Sequence, residues 1–110
     1  MKIETLKSTE DFKRLKSGKF FRSQSFLLQG MENSHSNIIR IGYTVTKQNG
    51  NAVTRNRIKR RLRSIANEVF KNSEKSKWDY VMIGKKNSLI VPFAKLKLEL
   101  EFALNKIHKI

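Results

Sequence analysis

The chain has 110 residues, and 24 Lys and Arg against 9 Asp and Glu give a formal net charge of +15. That imbalance excludes an acidic buffer protein and argues against most enzymes of neutral metabolites. A disordered basic tail is also excluded, because 38% of the residues are apolar and fall in patterned blocks. A small domain this basic repels itself, so a polyanionic partner is expected: nucleic acid first, an anionic membrane surface second. With no cysteine there is neither a disulfide nor a thiolate-bound zinc. His35 and His108 are far apart and read as exposed loop or tail residues. The start of the chain lacks the apolar core of a signal peptide, and no apolar run is long enough for a bilayer, so a cytoplasmic location is expected.

The first element is a helix over 9–17. Ser8 can cap it, Glu10 and Asp11 suit its positive end, Phe12 and Leu15 give apolar contacts, and Gly18 suits a left-handed stop. Residues 20–29 read as one or two strands, and the polar residues 30–37 as a turn. Ile39, Ile41, Tyr43 and Val45 then alternate with Arg40, Gly42, Thr44 and Thr46, the period of a strand with one buried face. Asn49-Gly50-Asn51 breaks that strand, and Asn51 caps a helix over 52–71, about 30 Å long. Its apolar stripe is Ile58, Leu62, Ile65, Ala66, Val69 and Phe70. Residues 79–84 form a short apolar run, read as a buried strand. The last segment alternates like a strand, yet its length, composition, Pro92 and the spacings Lys95–Glu99 and Lys97–Glu101 favour a helix over 92–107. The expected order is helix, one or two strands, strand, basic helix, strand, helix, with no internal repeat or linker, and one sheet with helices on it is the natural α/β or α+β solution.

The charge is concentrated. No acid occurs between Glu32 and Glu68, an interval holding Arg40, Lys47, Arg55, Arg57, Lys59, Arg60, Arg61 and Arg63. Solvated helix faces usually mix signs, because i,i+4 opposite pairs support a helix and like pairs weaken it. A run without such pairing favours a phosphate backbone as its partner. Arg offers phosphate a bidentate fork, and Asn56 adds a group that both donates and accepts. No Ser/His/Asp set, cysteine nucleophile or phosphate-binding glycine loop is present. A DNA recognition helix would need a partner helix just upstream, where the pattern reads as strand.

Residues Arg55-Asn56, Lys59-Arg60 and Arg63, two spacers apart, resemble the signature of the bacterial ribonuclease P protein subunit, with Arg57 and Arg61 as further basic residues. They follow Gly42-Tyr43-Thr44-Val45-Thr46-Lys47, similar to the strand that precedes the signature in that family. Glu10-Asp11-Phe12 resembles the family's first helix, residues 79–83 its last strand and 92–107 its final helix. Two departures fall at the substrate-facing cleft: Leu15-Lys16 stand where a second aromatic is common, and Gln29 where another often occurs.

The resemblance implies a single α+β domain over 1–110, an α/β sandwich with a small mixed sheet in the order α-β-β-β-α-β-α. It implies a ribosomal protein S5 domain 2-like fold with a left-handed βαβ crossover, although physical rules alone favour the right hand. It implies an RNA-binding subunit of an endoribonuclease that removes the 5′ leader from precursor tRNA. Catalysis and the magnesium ions would reside mainly in the RNA, with no catalytic residue, metal ligand or organic cofactor in this chain. Lys47, Arg55, Asn56, Arg57, Lys59, Arg60, Arg61 and Arg63 would contact the catalytic RNA. Phe12, Phe20, Phe26, Thr44 and Thr46 would face the leader, Phe26 being equally compatible with the core. The partners would be the catalytic RNA and the precursor, with neither membrane nor another protein required. A structural, ribosomal-type RNA-binding protein is the alternative.

Overall fold

The computed structural model describes residues 3–34, 36–71 and 77–108. The elements are β1 (Ile3–Thr5), α1 (Thr9–Leu15), β2 (Lys19–Arg22), β3 (Phe26–Glu32), β4 (Ile39–Val45), α2 (Ala52–Phe70), β5 (Trp78–Gly84) and α3 (Phe93–His108). Short 3-10 turns occupy Lys47–Asn49 and Lys86–Leu89. One sheet of five strands has the order β1-β4-β5-β3-β2. β4 runs parallel to both β1 and β5, while β3 is antiparallel to β5 and β2. α2 is the crossover between the parallel neighbours β4 and β5.

This is the expected mixed α+β fold, with β1 added ahead of α1. Three residues carry no readable periodicity, and β1 exists because β4 offers a parallel edge for its backbone groups.

Alternation gives the sheet two faces. Ile39, Ile41 and Val45 of β4, Tyr80 and Met82 of β5, and Phe26 and Leu28 of β3 point toward the two long helices. They pack with Ile58, Leu62, Ile65, Ala66 and Phe70 of α2 and with Leu96, Leu100, Ala103 and Ile107 of α3. On the other face, a smaller cluster joins Leu15 and Phe12 of α1 to Leu6, Val81, Met31 and Ile83.

Caps explain the helix starts. The Ser8 hydroxyl accepts the Glu10 N–H at 3.2 Å, and the Asn51 side-chain carbonyl accepts the Thr54 N–H at 2.9 Å. The turn before α2 needs glycine: Gly50 has φ +128°, and a Cβ there would lie 2.9 Å from Thr54 Cγ2. Gly18, by contrast, does not end α1 in a left-handed conformation. The helix closes at Leu15, and a Cβ on Gly18 would lie 2.4 Å from the Gly30 carbonyl oxygen, so this glycine admits a neighbouring strand.

Two further expectations change. His108 is not an exposed tail residue: its Nε2 lies 2.6 Å from the Tyr80 hydroxyl, and its ring packs edge-on to Trp78. His35 lies outside the described residues. The final helix forms, but Glu99 accepts the Ser25 N–H and hydroxyl at 3.2 and 2.8 Å, and Lys97 reaches Glu68 of α2 at 3.7 Å. Links to neighbouring elements thus take the place of the expected pairs within the helix. No helix among the described residues is long and apolar enough to cross a membrane.

Candidate nucleic-acid interface

The apolar stripe of α2 is sealed against the sheet and α3, so the remaining arc of the helix carries the charge. Asn56, Arg57, Arg60 and Arg63 are exposed, Arg55, Lys59 and Arg61 are half-buried, and Lys47 is exposed in the turn before the helix. At 100° per residue, Asn56, Lys59 and Arg63 fall on one flank, Arg57 and Arg61 on the other, and Arg60 outermost. No acid occupies the first turn, so Arg55 stands uncompensated at the positive end of the helix dipole. That arrangement is unfavourable in the free chain and becomes favourable when an anion binds there.

The cationic residues of α2 are not equivalent. The Arg63 guanidinium lies 5.1 Å from the centre of the Tyr43 ring, which orients it while leaving it exposed. Burial pushes the Tyr43 hydroxyl up to about 12, with the Arg63 cation opposing the shift. Arg61 turns inward: its Nη2 donates to the Val91 carbonyl, and its Nε is buried with no hydrogen-bond partner. It ties α2 to the segment entering α3. Arg55 keeps its Nε within 3.5 Å of the Asn51 carbonyl at the helix start.

The opposite sheet face carries a second feature. Across the strands one row reads Thr44, Ile83, Leu27, Arg22, and the next reads Gly42, Val81, Gln29, Phe20. α1 covers the Gly42 end so closely that a Cβ on Gly42 would lie 2.5 Å from Phe12 Cζ. At the far edge, Phe20 is 64% exposed. Thr46 follows at the end of β4, its hydroxyl accepting from Asn49 Nδ2 at 3.0 Å. Phe12, Phe20 and Thr44 therefore share one face beside α1, with Thr46 at its end.

Phe26 does not join them. It is fully buried on the other face, in the core beneath α2 and α3. β3 points Phe26 and Leu28 one way and Leu27 and Gln29 the other, and aromatic character alone does not say which set faces the cleft. Of the half-buried floor residues, Gln29 stands where the family resemblance put a cleft position, whereas Leu27 and Ile83 were missed by the sequence reading. The alternation of β3 with Leu28 in the core was the signal that could have found them.

Asp79 fixes where α1 sits. It is completely buried at the start of β5, and Arg40 of β4 donates to it through Nε at 2.9 Å and Nη2 at 2.7 Å. Arg14 of α1 also donates to it, and Asn33 Nδ2 lies at 3.2 Å. Asp11 flanks the pair, 3.5 Å from Arg14 and 3.7 Å from Arg40. Burial alone would raise the Asp79 carboxyl, but the bonds from Arg40 and Arg14, the Arg40 charge and the Asn33 amide outweigh it and hold it below its ordinary value. The bond to Asp79 correspondingly raises Arg40. Among the described residues no three His, Asp or Glu side chains converge as a metal-ligand set.

The family model for Ribonuclease P matches residues 1–108. The chain is 36% identical over 109 residues to the ribonuclease P protein component of Ruegeria pomeroyi, covering 96% of this chain and 87% of that protein. It is 38% identical over 106 residues to the Streptococcus pneumoniae component, covering 96% and 84%. The fold matches the solved RNase P protein of Staphylococcus aureus with a TM-score of 0.79, 29% identity and 97% coverage of both chains. The Thermotoga maritima RNase P protein matches with a TM-score of 0.71, 28% identity and the same coverage. With the family model spanning residues 1–108 and the overall fold shared with solved RNase P proteins, the chain belongs to the ribonuclease P protein family.

Proposed function

We propose that this chain is the protein subunit of a ribonuclease P holoenzyme, in which a catalytic RNA hydrolyses precursor tRNA and releases its 5′ leader. The observation that carries this reading is the acid-free stretch of α2 ahead of Glu68 in a chain of this family: an arc of Asn56, Arg57, Arg60 and Arg63 left exposed while the apolar stripe packs into the core. That arc, with Lys47, Arg55 and Lys59, is assigned to the phosphates of the catalytic RNA. Arg61 contributes to the same surface from beneath, through the position it gives α2.

The face beside α1 is assigned to the single-stranded leader. Phe20 offers an exposed ring on which an unpaired base stacks, worth about 1–3 kcal/mol. Phe12, Thr44 and Thr46 line the same path over the floor of Leu27, Gln29 and Ile83. Holding the leader while the RNA holds the rest of the precursor links two binding events, so each raises the effective concentration for the other. We assign the chemistry and its magnesium ions to the RNA. The cations of α2 neutralise phosphate and so lower the magnesium concentration that assembly needs. No organic cofactor, membrane or further protein partner enters the proposal, and the cytoplasm is the assigned location.

Reconstitution tests it. The purified chain alone should cleave nothing. Added to the catalytic RNA it should stimulate cleavage of a leader-bearing precursor, chiefly at low magnesium. No stimulation across a magnesium titration would sink the proposal, and co-purification with ribosomal subunits instead would point to a structural RNA-binding role.

A further inference from the structure

Between α2 and the entry to α3 lies a groove of about 350 Å³, lined by Arg57, Arg60, Arg61, Ser64, Leu89 and Phe93. Three of its six lining residues are arginines and none is an acid. Phe93 is 43% exposed, and Ile90 on the same entry segment is 78% exposed. A large aromatic left half in water beside two exposed arginines is unusual for a surface that serves solubility alone.

The groove is held in shape from below and at one end. Arg61 bonds the carbonyl of the buried Val91, fixing the entry segment against α2. One helical turn beyond Ser64 and Phe93, Lys97 meets Glu68 at 3.7 Å, closing that end and balancing its carboxylate. The open end continues into the exposed row of Arg60 and Asn56 on α2.

We propose that this groove receives one nucleotide splayed out of the catalytic RNA, its base lying on Phe93 and its phosphate on Arg57 and Arg60. The proposal rests on the assignment of α2 to that RNA and deepens it from phosphate contact to base contact. The occupant must be anionic to match the arginines and must present a flat apolar face to the ring. Unpaired RNA bases meet protein aromatics in this way, and the arginine fork matches phosphate oxygens. Continuity with α2 selects the catalytic RNA over the leader, whose assigned cleft lies on the opposite face of the sheet.

The test is equilibrium binding of the catalytic RNA to the wild-type chain and to Phe93→Ala, Phe93→Leu and Phe93→Tyr, each over a salt titration. Phe93→Ala and Phe93→Leu should each weaken binding roughly five- to a hundredfold, the range one base–aromatic stack supplies. The salt slope should not change, because no phosphate contact is lost. Phe93→Tyr keeps the ring and should bind as the wild type. Phe93→Leu preserves most of the apolar packing, so a loss there is a loss of stacking and not of folding. Wild-type affinity in Phe93→Leu would overturn the proposal, and wild-type affinity in Phe93→Ala as well would leave the groove to an acidic protein segment. If the wild-type chain itself does not bind the RNA, the functional assignment fails and the proposal falls with it, a result distinct from a defect confined to Phe93 variants.

Discussion

Arg40 grips both carboxylate oxygens of Asp79, Nε to Oδ1 at 2.9 Å and Nη2 to Oδ2 at 2.7 Å, on the face of the sheet that α1 covers. This contact changes the reading of the charge. Of the eight basic residues between Glu32 and Glu68, Arg40 is engaged by Asp79 and Arg61 by the Val91 carbonyl, which leaves six for the solvent side. The same carboxylate receives Arg14, so it anchors α1, and with it Phe12, over the sheet.

The lowered Asp79 carboxyl makes stability depend on acid. A carboxylate with a depressed folded-state value contributes stability that is fully present above its unfolded value, about 3.9, and is lost as the pH falls through the folded value. Asp79→Asn should therefore cost about 3 kcal/mol at neutral pH by leaving two guanidiniums with only the more distant Asp11, and should flatten the acid limb of the stability curve. Urea unfolding from neutral to strongly acid pH checks both effects. A variant curve parallel to the wild type would contradict this assignment.

Arg60 and Arg61 are adjacent and should behave differently. Arg60→Ala should weaken binding of the catalytic RNA and reduce its salt slope by about one phosphate contact, with stability unchanged. Arg61→Ala removes the bond to Val91 and should lower stability by about 1.5 kcal/mol, with a nearly unchanged salt slope. Thermal unfolding beside a plot of log affinity against log salt separates the two roles. Equal slopes for Arg60→Ala and the wild type would remove Arg60 from the interface.

Phe20 and Phe26 form a second contrasting pair. Phe26→Ala opens a cavity in the core and should cost about 3–5 kcal/mol. Phe20→Ala removes an exposed ring and should change stability by no more than about 0.5 kcal/mol. Phe20→Ala should instead reduce the holoenzyme's preference for a precursor with a leader over one without. Denaturant unfolding and paired affinity measurements read these outcomes, and an intact leader preference would exclude Phe20 from the cleft.

Gly42 lies directly under the Phe12 ring. Gly42→Ala should cost about 1–3 kcal/mol, because the new methyl group meets the ring 2.5 Å from Cζ. Phe12→Ala makes room for that methyl group, so the double variant should be less destabilised than the sum of the single ones. A double-mutant cycle on unfolding free energies measures this coupling, and strict additivity would show that α1 moves away freely.

Much of this protein was legible in the residues alone. The period of two in 39–46 and the stripe from Ile58 to Phe70 carry their own burial patterns, so β4 and α2 emerged with their inward faces correct. The acid-free interval marked α2 as the charged element, because like charges at helical spacing are unfavourable without a partner. Lys95, Lys97, Glu99 and Glu101 supported a helix even though the final pairings lie elsewhere, since composition acts locally. What depended on contacts distant in sequence was decided by the tertiary structure. β1 needed the edge of β4, and the outward pair Leu27 and Ile83 needed the register of β3 against β5. Asp79 read as the first residue of a strand until Arg14 and Arg40 arrived from 65 and 39 positions away. Sequence by itself pointed to a polyanionic partner and to α2 as the helix that would meet it. Only the fold decided which arginines remain free to do so, because a guanidinium's role is set by the acceptor it reaches, and that acceptor is supplied by packing.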